Sequence, residues 1–139
     1  MPPSLPLQCF LFSFLGLGLE VAFTAALDSW KRWDRFLMGY SSIWYIPLYA
    51  VVPFILSWAG PSLFPIPWYL RGLIYMVACF VLEFAGMGAL RLILGASPSE
   101  ASYYKARWNV LGLIRLDWAP VWFCAGLLFE TLFRALNPT

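Results

Sequence analysis

Apolar residues gather in four long runs, 7–27, 42–59, 68–95 and 116–136, separated by shorter stretches that hold most of the charges. A helix rises 1.5 Å per residue, so roughly 20 apolar residues cross the hydrocarbon core of a bilayer. The pattern predicts an all-α, polytopic membrane protein, with four transmembrane helices in a single domain over 1–139. In the first loop, 28–41, Trp30, Trp33 and Leu37 recur at helical spacing with Lys31, Arg32 and Arg35 between them. That spacing predicts a separate interfacial helix capped by Asp28, its tryptophans at headgroup depth and its basic side chains snorkelling to phosphates. Trp30, Lys31, Arg32, Trp33 and Arg35 are therefore the expected lipid-interface set.

The second loop, 60–67, carries three prolines and leaves no room for an external domain. The third, 96–115, is the longest. Its Ser97-Pro98-Ser99-Glu100 reads as a helix start, with Ser97 as cap and Pro98 at the first helical position. The apolar stretch 109–114 around Gly112 is too short to span and is expected to be a re-entrant or surface segment.

Composition strengthens the membrane assignment: 62% of the 139 residues are hydrophobic and 12% charged, too little polar surface for a water-soluble globule of this size. The first run lacks a basic stretch before it and contains Glu20, so it is expected to remain as a helix rather than act as a signal peptide. The three cysteines lie inside the apolar runs without CxxC spacing, and there is no histidine. Metal sites, disulfides and histidine-based catalysis are not expected, no cofactor is implied, and no nucleic-acid partner is indicated.

The polar residues inside the runs are the candidate chemistry, because a carboxyl group at bilayer depth costs about 2.5–3.5 kcal/mol on insertion scales. Cys9, Ser13, Gly16, Glu20 and Thr24 fall on one face of the first helix, which places Glu20 on a packed side. In the third helix Ala78, Leu82, Ala85, Gly86 and Ala89 form a smooth stripe with Glu83 at its edge. Tyr49 precedes Pro53 by one turn in the second helix, where the missing N–H predicts a kink and a candidate cavity wall.

By rise per residue, Glu20 and Arg91 lie about 10 Å and 6 Å from the same end of their helices, a depth match that predicts a pair. Asp117 is expected to cap the fourth helix, and Glu130 to pair with Arg134 four residues on. Glu83 has no basic residue within one turn. Glu83, Glu20, Arg91, Asp117 and Tyr49 are the candidate substrate- or proton-binding residues, and no catalytic residue is assigned.

Several segments resemble a family of small bacterial membrane proteins labelled type IV ABC transporter permeases, with animal relatives called transmembrane protein 229. They are Glu20-Val21-Ala22-Phe23-Thr24-Ala25-Ala26, Ser42-Ile43-Trp44, Arg71-Gly72-Leu73-Ile74-Tyr75, Glu83-Phe84, Asn109-Val110-Leu111-Gly112-Leu113-Ile114, Trp122-Phe123, Gly126 and Glu130. The resemblance implies four membrane helices and a transport role, without an activity or assigned site residues. Where that family carries Trp-Asp-Tyr before its Asn-Leu-x-Gly segment, this chain has Ser102-Tyr103-Tyr104-Lys105. It also lacks a GxxxxGK[ST] phosphate loop, so an ATPase would have to be a separate polypeptide.

Basic residues crowd the first loop (Lys31, Arg32, Arg35) and the third region (Arg91, Lys105, Arg107, Arg115), against Arg71 and Arg134 opposite. The positive-inside rule makes loops one and three cytoplasmic and both termini outward in a cell membrane. The leading expectation is a membrane subunit of a transport system, partnered by the lipid bilayer and by further copies or other membrane subunits. A structural accessory subunit comes next, and a lipid- or isoprenoid-modifying enzyme last.

Overall fold

The computed structural model describes residues 1–33 and 35–138. Among them the helices are α1 (Leu5–Arg32), α2 (Ile46–Leu63), α3 (Trp68–Leu94), α4 (Glu100–Tyr103) and α5 (Ala119–Leu136). Short 3-10 turns, Ile43–Tyr45 and Leu116–Trp118, lead into α2 and α5, and the strands β1 (Asn109–Val110) and β2 (Ile114–Arg115) pair antiparallel. Four helical stretches, Leu5–Arg32, Ile43–Leu63, Trp68–Leu94 and Leu116–Leu136, are long and apolar enough to cross a membrane.

Two boundaries differ from expectation. The first-loop helix is not a separate element: Asp28, Trp30, Lys31 and Arg32 are the last turns of α1, which ends at Trp33 in the left-handed region at φ 52°. A helix already in progress needs no new nucleus, so extending it past the apolar run costs less than starting another. Asp28 consequently lies within a helix instead of capping one, and residues 35–42 hold a turn and irregular backbone, with Leu37 at φ 51°. The second loop is also shorter than predicted, because α2 continues through Gly60 and Pro61 to Leu63.

By its contacts the chain falls into two compact units, Met1–Ile55 and Leu56–Thr139. In the first, the polar stripe of α1 is its packed face. Ser13 and Gly16 are buried, and Ser13 Oγ donates to the Cys9 carbonyl and to that of Ile46. A Cβ at Gly16 would fall 2.2 Å from the Tyr49 ring, so glycine is what lets that ring close on α1. The chain after α1 turns back along it. Thr24 Oγ1 donates to the Tyr40 carbonyl and accepts from the Tyr40 N–H, and a Cβ at Gly39 would lie 1.9 Å from the Val21 carbonyl oxygen.

In the second unit α5 packs along α3. Apolar burial alone gives helices in lipid little reason to associate, so close fit has to supply the attraction. Gly126 backs onto Tyr75 and Gly72 onto Phe123, each so tightly that a Cβ would come within 2.3 Å of the facing side chain. Phe129, Phe133, Trp122 and Met87 are buried. The buried residues of α3 are Gly72, Tyr75, Glu83 and Met87, so Glu83 sits in the packed face itself. Within the small-residue stripe Ala78, Leu82 and Gly86 are half-buried, while Ala85 and Ala89 are exposed.

The segment 109–114 is a hairpin, not a span or a simple surface strip. Leu111 and Gly112 both have positive φ, 55° and 69°, and the Leu113 N–H donates to the Val110 carbonyl at 3.0 Å. The strands are joined by three residues, 111–113, the first two of which are the left-handed centre of a β-turn closed by that bond. Asn109 underwrites the strained Leu111, since its Oδ1 accepts from the Gly112 N–H and its Nδ2 donates to the Ala106 carbonyl.

Candidate functional site

The acids divide by the chemistry of their partners. In the first unit Glu20 accepts a hydrogen bond from the Tyr49 hydroxyl at 2.5 Å and another from Ser41. Tyr49, 6% exposed, reaches it from α2, while Ser41 arrives on the returning loop. The sequence brought Glu20 and Tyr49 forward for separate reasons, and the fold joins them.

In the second unit Glu83 is 4% exposed and accepts from the Tyr103 hydroxyl at 2.7 Å. Tyr103 belongs to α4, twenty residues further along the chain. Its ring lies 6.3 Å from that of Trp118 and 5.9 Å from the Arg115 guanidinium. A hydroxyl donor suits a carboxyl group in either protonation state, because a carbonyl oxygen remains to accept after the acid gains a proton.

Glu130, Asp117 and Glu100 instead hold arginines. Glu130, 2% exposed, takes Arg71 Nε at 2.8 Å and Arg134 at 3.3 Å. The expected Arg134 pair is present, but Arg71 is the shorter contact and also donates to the carbonyls of Phe64 and Ile66. Asp117 is not a helix cap: it lies in the 3-10 turn before α5 and binds Arg115 through both carboxylate oxygens, at 3.1 and 2.5 Å.

Arg91 is engaged within the second unit. Its Nε–H donates to Glu100, and its Nη2 donates to the Leu111 carbonyl and, at 3.3 Å, to the Tyr104 hydroxyl. Arg91 and Glu20, matched in depth along their helices, each have partners within their own unit. Glu100 also accepts from the Ser97 N–H at 3.0 Å, the reach-back bond of a capping box, so the predicted helix start at Ser97 is present as a bonded turn ahead of α4. That N–H bond first, and the Arg91 guanidinium second, hold the Glu100 carboxyl below its ordinary range.

Among the lipid-interface residues, Trp30 and Trp33 are 87% and 92% exposed, and Lys31, Arg32 and Arg35 are exposed beside them. Tyr103 and Ser41 are the partners that sequence reasoning missed. No family model matches this chain, and no solved structure matches its fold.

Proposed function

We propose that the protein is a membrane subunit of a transport system in which Glu83 binds a proton or a cationic solute. One observation carries the reading: an acid at membrane depth, nearly fully buried, accepts from the hydroxyl of Tyr103. Such a bond tolerates both charge states, whereas the ion-paired Glu130 would lose two guanidinium partners' attraction on protonation. Glu20, held by Tyr49 and Ser41, repeats the chemistry. The motif resemblance to type IV ABC transporter permeases leans the same way. Four helices make a thin wall, so the pathway is completed by further copies or by partner subunits. Loops one and three face the cytoplasm and both termini face outward, as their arginines and lysines favour.

The test is solute and proton flux in proteoliposomes containing the parent chain, Glu83→Gln or Glu20→Gln. Glutamine keeps the hydrogen-bond acceptor and removes the titration. Loss of proton-coupled flux in Glu83→Gln is expected. Full flux in both variants, for every solute the parent moves, refutes the reading.

A second reading has its own observation. Exposed Ala85 and Ala89 on α3 leave a small-residue face on which another helix could approach closely, as an accessory subunit in a larger complex requires. Co-purification in mild detergent with a stoichiometric membrane partner would favour it, and recovery of a lone species would count against it.

A further inference from the structure

We infer that residues 96–115 form a gate over Glu83, a rigid cap latched to α3 at Arg91 and Glu83, hinged upstream at Gly95 and carried downstream by the 3-10 turn Leu116–Trp118. The inference deepens the proposed role of Glu83 and rests on it for its purpose, though not for its test.

The cap is bonded chiefly to itself. Ser99 Oγ donates to the Gly112 carbonyl at 3.0 Å, which ties α4 to the hairpin turn, and Ser97 and Ser99 hydroxyls share a bond. Asn109 closes the turn onto Ala106, the Leu116 N–H returns to the Trp108 carbonyl, and the Tyr104 ring fills the space where Gly112 has no side chain. A body tied by that many internal bonds moves as one piece.

Among the described residues its polar ties to α3 include two side chains two turns apart, while downstream Arg115 pairs with Asp117 and the Tyr103 ring meets Trp118. Arg91 grips Glu100, Tyr104 and the Leu111 carbonyl, and Glu83 receives Tyr103. Leu113, 3% exposed, rests against Gly88 with its Cδ1 3.8 Å from where a Cβ would stand. At the upstream end Gly95 adopts φ +82°, with nothing within 4 Å of a Cβ built there. It is the glycine that closes α3, its N–H donating to the Arg91 carbonyl, and with no side chain its backbone angles are the least restricted at that junction. Releasing Arg91 and Tyr103 together would lift α4 and the hairpin and open Glu83 to the aqueous side, whereas the closed cap keeps it dry.

Gly88→Cys provides the reporter, because a side chain there meets only Leu113 at an ordinary contact distance. In the full chain reconstituted in liposomes, with Cys9, Cys79 and Cys124 replaced by alanine, labelling of that thiol by a membrane-impermeant maleimide added on both sides reads cap opening. Glu100→Gln removes the charge of the latch with little change of shape, and Arg91→Gln removes the grip itself. Charge-assisted bonds of this kind support an expected rise in labelling rate of about tenfold or more for either variant. Amide exchange should rise together across 99–115. Lys105→Gln, which touches neither latch, serves as the control and should label like the parent.

An unchanged labelling rate in both latch variants overturns the gate. So does exchange that rises only beside residue 100 while the hairpin stays protected. Retention of the parent's thermal transition separates gating from misfolding, and Glu100→Gln carries the test if Arg91→Gln does not fold. If labelling rises as expected while Glu83→Gln transports normally, the gate stands and the proton-binding role falls.

Discussion

Replacing Tyr103 by phenylalanine removes one oxygen and keeps the ring that lies 6.3 Å from Trp118 and 5.9 Å from Arg115. The energetic change therefore isolates the 2.7 Å bond to Glu83. A neutral hydrogen bond contributes about 0.5–1.5 kcal/mol net, and one to a charged group about 1.5–3 kcal/mol. Interhelical bonds within membranes average about 0.6 kcal/mol in double-mutant cycles and reach about 1.7. The coupling between Tyr103→Phe and Glu83→Gln is thus expected at about 0.6–1.7 kcal/mol where Glu83 is neutral, and above that range where it is ionised. Unfolding equilibria of the parent, the two single variants and the double variant, measured in lipid bicelles, give the cycle. A coupling of zero would refute the assignment of Tyr103 as the group that holds Glu83, and with it one of the two latches of the cap.

Removing Glu130 should be severe, since Glu130→Ala leaves Arg71 as an uncompensated charge with only 14% of its side chain exposed; about 3–5 kcal/mol of stability should be lost by the same assay. Arg134→Gln at the other end of that cluster, on a side chain 54% exposed, should cost under about 1 kcal/mol. Gly16→Ala drives a methyl into the Tyr49 ring and should destabilise by about 1–3 kcal/mol, while Gly18→Ala, which meets nothing within 4 Å, should stabilise α1 by up to about 1 kcal/mol. Glu100 has a folded carboxyl below its ordinary 4.5, so its support of the cap is complete above that value and disappears as the pH falls through the lowered one. Amide exchange in 99–115 should therefore accelerate on acidification below about 4.5, and Glu100→Gln should already be fast at neutral pH and show no such step.

The spans were legible because length and hydropathy are local properties: each run needs only its own residues to declare itself. The polar face of α1 was legible for the same reason, since a spacing of three and four fixes which side chains share a side, and Ser13, Gly16, Glu20 and Thr24 all prove to be engaged there. Glu83 marks where that reasoning stops. Its partner comes from a four-residue helix that follows a turn bonded between Ser97 and Glu100, and no periodicity in α3 points to it. The hairpin escaped for a related cause: its strands have two residues each, and Leu111 accepts a left-handed backbone that its own side chain disfavours because Asn109 holds the turn from outside. At Ala85 and Ala89 the small-residue stripe of α3 misled, because smoothness shows where a helix can be approached, and not whether anything in the same chain approaches it.

The bond between Thr24 and Tyr40 sets a depth. Thr24 lies eight residues, about 12 Å, below the end of α1 at Arg32, yet the chain that leaves Arg32 has already come back down to Thr24 when it reaches Tyr40. At 28 residues α1 is about 42 Å long, roughly 12 Å more than a hydrocarbon core, and the surplus equals that descent. The second span therefore starts two turns lower than the first one stops. A post bearing Asp28, Trp30, Lys31 and Arg32 stands out of the apolar layer, while the descending loop lends its N–H and carbonyl groups to Thr24 and its hydroxyl to Glu20 on the way in.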